Sequence, residues 1–352
     1  MKLIYKILDI DDISGDIYEI IDRFLKNIHD SSIYHHPSWL SAIEKSFNQK
    51  GYYLLVRNQK EEITGILPFF TVKSIITGKR IVTLPLSTYC DPLILNGLLQ
   101  ECINFIKKQF PDFNSFDLRT LKNYSNVLNE FSEESEYVTH ILNLKESIDD
   151  TFNAFHPTSV RASIRRAEKN NLTIKWGETV EELKIFYHLE LRLRKRLLIP
   201  PLPFKFFFNV WQSLKEFNMI HLPVIIKDNI PIATGFILNF KDTFYLEYTA
   251  ADKDYFNLYP NHKLFFEVIK KAHQMGAKKI DFGRTSLDNI SLITFKEKWA
   301  AKKEAIYHYH YPNKPIIKKE QNRLKRVLTN INKHLPDKLF EAEGKILYRH
   351  FL

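Results

Sequence analysis

The stretch KKIDFGRTSLDNISLITFKEKWA (278–300) gathers groups able to do chemistry. Its first half reads as a buried strand, with a carboxylate and a guanidinium, Asp281 and Arg284, where that strand ends. Sheets open to ligands at strand ends, and an arginine fork can grip a phosphate or carboxylate through two bonds. An ion pair between the two, or with a neighbouring element, is the plainer use of the same charges. Lys296 follows, among Lys298, Lys302 and Lys303. Its ammonium could hold a phosphate or steady an oxyanion; as one lysine among several it reads as solvated surface. The letters DFG also occur in the magnesium motif of kinases. That reading fails, because the chain has no Gly-rich nucleotide loop and no HRD loop, and its elements come in another order.

Further candidates lie elsewhere. In SVRASIRRAEKNNL (159–172), Arg161, Arg165 and Lys169 recur at helical spacing, with Val160, Ile164 and Ala167 opposite. Such a face clamps RNA phosphate or a pyrophosphoryl lipid, or is simply solvated. Tyr248, Tyr255 and Tyr259 flank a turn at 257–263 and could stack on a base or sugar, or belong to core and rim. Asn261 stands where it could cap the helix that follows. Asp91 is a candidate base, although an Asp-Pro turn explains it equally well. Glu190, four residues before Arg194, reads as a helix ion pair. His35 and His36 precede a helix. His308 and His310 alternate with tyrosines as on a strand; two such histidines can bind zinc, but no third ligand is evident and no metal site is expected. Neither Cys90 nor Cys102 has nucleophile or ligand spacing, and no G-x-S-x-G elbow is present.

These residues need elements to position them, and the chain reads twice. LLVRNQKEEITGILPFF (54–70) and PVIIKDNIPIATGFILNF (223–240) each place two apolar strands around a polar turn, with Thr-Gly early in the second strand. A Trp-bearing aromatic helix precedes each hairpin, carrying Trp39 and Trp211. A helix with an apolar stripe follows each, at 97–110 and 263–276, and then a strand bearing Asp117 or Asp281. The offsets are 172 for the tryptophans, 170 for Gly65 and Gly235, and 164 for the aspartates. Four elements in one order at nearly one spacing indicate a duplication, with a period far too long for a solenoid. The expected fold is mixed α/β: residues 1–145 and 146–311 as two tandem domains, each a mostly antiparallel sheet flanked by helices, then a tail at 312–352.

At 352 residues the chain can bury two ordinary cores. Two cysteines fit a reducing compartment, no apolar run reaches the ~18 residues of a spanning helix, and the first dozen residues do not form a secretory signal. A cytoplasmic protein is expected. The net charge of +10 favours polyanionic partners. The tail holds ten Lys and Arg against four Asp and Glu, and Leu324, Val327, Leu328, Ile331 and Leu335 make one stripe before Pro336. Packing on the body is expected of it, with peripheral contact to an anionic membrane face as the alternative.

The order of elements in each copy is that of a GNAT acyltransferase unit. SVRASIRRAEKNNL, YTAADKDYFNLYPNHKLFFEVIKKAHQMGAKKIDFGR (248–284) and TFKEKWAAKKEAIYHYHY (294–311) resemble the FemAB-type acyltransferases, which are tandem GNAT-like proteins. YHHPSWLSAI, ITGILPFF and the Gly78-Lys79-Arg80…Leu84-Pro85 stretch resemble their N-terminal part, so the likeness covers roughly residues 30–311. It implies acyl or aminoacyl transfer to an amine of a cell-envelope precursor, by direct attack, with Lys296 matching the Phe-Lys of the family's FK segment. Ala300 departs from it, standing where a glycine is usual. No permanently bound cofactor is implied; the donor is aminoacyl-tRNA or acyl-CoA, and tRNA or a lipid-linked precursor is the implied partner. The turn Asn257–Lys263 contains no glycine and includes Pro260, which lacks an N–H, so it is a poor cradle for a CoA pyrophosphate. A CoA-dependent N-acyltransferase of a sugar or small molecule, and a silent RNA- or glycan-binding protein, are the alternatives.

Overall fold

Both hairpins form where the alternating pattern places them. The computed structural model describes residues 3–312 and 335–351. The chain folds as two units: one of residues up to 136 with 305–311 and 345–351, the other of 137–304 with 337–344.

In the first unit, β1 (Ile4–Asp9), β2 (Lys50–Arg57), β3 (Ile63–Ser74), β4 (Gly78–Val82) and β5 (Ser115–Thr120) lie side by side in that order. The first four pair antiparallel, whereas β4 and β5 run parallel. Helices α1 (Gly15–Asn27), α2 (Pro37–Phe47) and α3 (Leu99–Gln109) complete it. Trp39 on α2 is fully buried, its indole N–H donating to Ser87 Oγ at 3.2 Å. The stripe of α3, with Leu99, Ile103 and Ile106, closes over Leu54, Leu67, Phe69 and Phe116. Each such side chain taken from water contributes roughly 1.5–3 kcal/mol.

The strand β6 (Ser132–Asn143) carries the chain from the first unit into the second. There α4 (Ile148–Ala154), a π turn at Pro157–Arg161 and α5 (Ala162–Lys169) precede β7 (Thr173–Gly177), α6 (Val180–Leu197) and α7 (Phe204–Leu214). The hairpin of β8 (Ile220–Lys227) and β9 (Ile230–Phe240) follows, then β10 (Thr243–Ala251), α8 (Pro260–Gln274) and β11 (Lys279–Asp281). Here too the first four strands, β7 to β10, pair antiparallel and the last pair, β10 and β11, is parallel. The duplication therefore holds strand for strand. The short β12 (Thr285–Ser286) pairs with β6, α9 (Ile290–Glu297) follows, and β13 (Lys302–Tyr311) returns the chain to the first unit.

Residues 305–311, assigned on sequence to the second domain, pair antiparallel with β5 and so belong to the first sheet. A period of two reveals a strand's faces but not its partner. Helix α10 (Asp337–Phe351) ends the described chain. In the second unit it packs through buried Phe340, the Tyr187 hydroxyl donates to Glu341 at 2.9 Å, and a Cβ on Gly344 would lie 1.9 Å from the Pro201 carbonyl oxygen. The Leu324–Ile331 part of the expected tail stripe lies outside the described residues.

Candidate active site

The parallel pair β10–β11 spans only Thr243–Tyr245 against Lys279–Asp281, and beyond it the two strands part. A bulge interrupts β10 between Tyr245 and Tyr248 as it pairs with β9. Bulges re-aim side chains, and this one contains Glu247. Across the opening the chain turns at Gly283, whose φ of +71° suits glycine, and continues into β12. Asp281 is 1 % exposed; its Oδ1 accepts from Thr139 Oγ1 at 2.5 Å and from the Gly283 N–H at 2.8 Å.

Lys296 reaches this spot from α9. It is 6 % exposed, and its Nζ donates to Gly283 O and to Thr285 Oγ1, each at 2.7 Å. An ammonium has three donors, so one remains for a ligand. Burial pulls the Lys296 pKa down to about 8, against the charges of Asp281 and Glu247, which favour the ammonium. The solvated-surface alternative for Lys296 does not hold: Ile293, buried one turn earlier on α9, and Trp299, fully buried just after it, turn Lys296 inward. Phe155, Phe265, Phe282, Phe295 and His262 surround that indole. Ala300 holds a φ of +59°, so the left-handed backbone that glycine would take is kept despite the alanine.

Sequence reasoning missed His140 of β6. It is fully buried, and neither ring nitrogen has a hydrogen-bond partner among the described residues. Burial, then the charges of Lys296 and Lys303, lower its pKa to about 4, so it stays neutral beside the lysine. A lone histidine in a strand carries no local signal of this.

Arg284 does not pair with Asp281. It is exposed, with its guanidinium 4.6 Å from the centre of the Tyr137 ring. Asn261 does not cap α8 either; Tyr259 is the capping residue, at a φ of +62°, and Pro260 takes the first helical position, which needs no N–H. The His262 and Lys263 N–H groups bond back to the Tyr259 carbonyl at 3.1 and 3.2 Å. The His262 bond tightens the first turn, whereas the Lys263 bond is the ordinary first bond of the helix. Arg166, rather than Arg161 or Arg165, reaches this turn, donating to the Tyr259 hydroxyl at 2.9 Å. The π turn puts Arg161 outside the regular helix, with its Nε buried and unpartnered, while Arg165 lies over Phe152. Tyr255 packs on the core of this unit, and Tyr248 meets Phe206, Phe207 and Phe236 edge-on. Packing, rather than an open stacking platform, is what both rings do here.

A basic cleft of about 410 Å³ adjoins the turn, lined by His188, Arg192, Lys195, Arg196, Lys253 and Phe340 among others. Arg192 forks onto Asp252 at 2.6 and 3.2 Å, and Arg196 lies over the Phe256 ring at 5.2 Å. The signal for this cleft was the run LRLRKRL on α6, of which only the Glu190–Arg194 pair, here 2.5 Å, was singled out.

Asp91 belongs to the first unit, where the parting of β4 and β5 is filled. Segment 83–93 runs into the gap, with the Cys90 N–H on Arg119 O at 2.8 Å. Asp91 accepts the backbone N–H groups of Lys122 at 2.9 Å and Leu121 at 3.1 Å, and burial raises its pKa to about 6. The structure thus gives this carboxylate a clamping role, the turn-like use that the sequence offered beside a catalytic base. His36 accepts the Ser38 N–H as the cap of α2, and His35 accepts the Ser32 N–H through Nδ1 while its Nε2 lies 2.8 Å from the Asp91 carbonyl oxygen.

A hairpin, a third strand that parts from a parallel fourth, and a helix between them, made twice in one chain, define a tandem GNAT-fold protein. Residues 156–296 match the acetyltransferase (GNAT) domain family. The chain carries the fold of the Fem-type proteins: the crystal structure of FemX superposes with a TM-score of 0.70, over 92 % of this chain and 99 % of that one, at 15 % identity. A tandem GNAT protein of the clavulanic acid pathway gives 0.53 at 9 % identity, covering 87 % and 98 %. The lipid II:glycine glycyltransferases of two Staphylococcus epidermidis strains are 32 % identical over 105 residues, which is 27 % of this chain and 25 % of theirs. The match thus spans a quarter of those relatives' length. Among the described residues no helix is long and apolar enough to cross a membrane.

Proposed function

We propose that the protein transfers an aminoacyl group from aminoacyl-tRNA to an amine on a lipid-linked cell-envelope precursor. The observation that carries this reading is the turn before α8. Pro260 has no N–H and the His262 N–H is spent on the Tyr259 carbonyl, so the free donors that would cradle a CoA pyrophosphate are reduced. The adjoining cleft supplies cations for a phosphate-bearing donor instead. The glycyltransferase relatives, named for lipid II and glycine, support the choice of acceptor.

In this reaction the acceptor amine attacks the ester carbonyl of the charged tRNA. A C–N bond forms, the C–O bond to the ribose breaks, and the proton lost by the amine ends on the ribose hydroxyl. Lys296 aims its third N–H at the carbonyl oxygen as that oxygen gains charge. Asp281 and Glu247 hold the lysine in its charged form. Arg161, Arg284 and Asn261 are assigned to substrate contact in this reading, whereas Tyr255 serves the core. A tRNA donor places the reaction in the cytoplasm, and a lipid-linked acceptor places it at the inner membrane face.

The test is a thermal-shift and binding comparison of acetyl-CoA, longer acyl-CoAs and bulk aminoacyl-tRNA. Binding of charged tRNA with no response to CoA thioesters is expected. Stabilisation by thioesters alone would make this a CoA-dependent N-acyltransferase of a sugar or small molecule. Tight, salt-sensitive RNA binding without transfer would make it a binding protein.

A further inference from the structure

We propose that the first unit carries a binding site for a divalent transition-metal ion, formed by Asp117, His308 and His310, with Glu134 at its edge. The sequence showed two histidines on one face of a strand and no third ligand. The fold supplies the third. β13 runs antiparallel to β5 in a register that sets His310 opposite Asp117. Opposite residues of a sheet point to the same face, and so do residues two apart on one strand. The three side chains therefore converge. One potential ligand atom from each lies within 4.8 Å of the other two. The imidazole centroids of His308 and His310 are 3.7 Å apart. His310 Nδ1 is 2.5 Å from Asp117 Oδ1, and its Nε2 is 3.9 Å from Glu134 Oε2.

The surroundings suit a metal. Arg80 donates to the other oxygen of Asp117, Oδ2, at 3.3 Å. Hydrogen-bonded carboxylates of this kind are typical behind metal ligands, because the outer bond fixes the ligand's orientation. A tetrahedral ion with bonds near 2.0–2.1 Å holds its ligand atoms about 3.3 Å apart, so the observed spread closes with small side-chain rotations. Two imidazoles with carboxylates favour zinc and its neighbours over magnesium or calcium, which prefer oxygen alone. The His310 side chain is 26 % exposed, leaving a path for the ion. Its effect would be structural: it would tie together two residues 193 positions apart in sequence, where the returning β13 joins the first sheet.

The full-length protein, stripped with a chelator and dialysed, is titrated with zinc chloride by calorimetry and by thermal melting. One zinc per chain is expected, with Tm raised by roughly 5–10 °C at a hundredfold excess over Kd, and no response to magnesium. His308→Asn and Asp117→Asn should each weaken zinc binding at least tenfold. Unchanged zinc binding in folded His308→Asn would overturn the proposal, because the ion would then sit elsewhere. If neither variant folds, cobalt substitution of the wild type decides: the intense visible absorption of a four-coordinate site supports it, and the pale spectrum of hydrated cobalt overturns it. The acyl-transfer reading concerns the second unit and stands or falls separately.

Discussion

Replacing Lys296 by methionine removes one ammonium while keeping the length of the side chain. Two terms act on stability. The lysine pKa falls from 10.5 to about 8 on folding, which at 1.36 kcal/mol per unit costs the charged form about 3 kcal/mol. Methionine relieves that cost. It also leaves Gly283 O and Thr285 Oγ1 without their donor, at about 1–3 kcal/mol each. The terms nearly cancel, so Tm is expected within about 5 °C of wild type. Activity has no such compensation. Losing a preorganised donor to a developing oxyanion lowers kcat about 10²–10³-fold. The assay is transfer of a labelled aminoacyl group from charged tRNA to acceptor amine, with melting curves on the same preparations. Titration adds an independent sign. Because the folded pKa lies below the unfolded one, the unfolded state binds more protons between about pH 8 and 10.5, so this group makes the wild type gain stability through that window. Lys296→Met should lack that gain. Wild-type kcat/KM should fall as pH rises past about 8 and the ammonium is lost. Turnover within twofold of wild type in a folded Lys296→Met protein would refute the placement of the site.

Other outcomes follow from the same geometry. Ala300→Gly should raise Tm by a few degrees with unchanged turnover, because the φ of +59° suits glycine by about 1 kcal/mol; a lower Tm would remove the argument from backbone strain. Arg196→Ala in the basic cleft should weaken tRNA binding and reduce the slope of log K against log salt by about one, read from a salt series. An unchanged slope would take the phosphates elsewhere. Asp91→Asn turns an amide N–H₂ toward one of the N–H groups of Leu121 and Lys122, so a loss of about 1–3 kcal/mol in denaturant melts is expected, with normal turnover per folded molecule. Lost turnover at full stability would restore Asp91 as a base.

The legible parts of this protein were those written in local pattern. Alternation around 58–62 and 228–229 marked the hairpins, the stripe of Leu264, Phe265, Val268 and Ile269 marked α8, and the offsets between Trp39 and Trp211 and between Gly65 and Gly235 exposed the duplication. Pro260 was readable as a missing donor. The use of its neighbours was not: whether Asn261 or Tyr259 caps a helix depends on a single backbone angle. The partner of Asp281 was not legible, because adjacent charges invite one another on paper and the alternatives stayed open. In the fold the carboxylate is buried while Arg284 is exposed over the Tyr137 ring, and Thr139, 142 positions away, donates to the carboxylate.

The sequence by itself determined the repeat, the element types and the residue types available for chemistry, because these follow from spacing along one chain. Tertiary structure alone decided what each side chain does. It buried Lys296, since Ile293 on α9 and the indole of Trp299 just after it pack into the core and turn that face of the helix inward. It left the strands of the second unit parted and filled the same gap in the first with Asp91, since loops of unlike length follow β4 and β10. It set Asp117 opposite His310 through a strand pairing of distant segments, and it brought the charge of Lys296 on α9 to bear on His140 of β6. Burial, and with it pKa and donor count, is a property of neighbours far away in sequence, which no local pattern records.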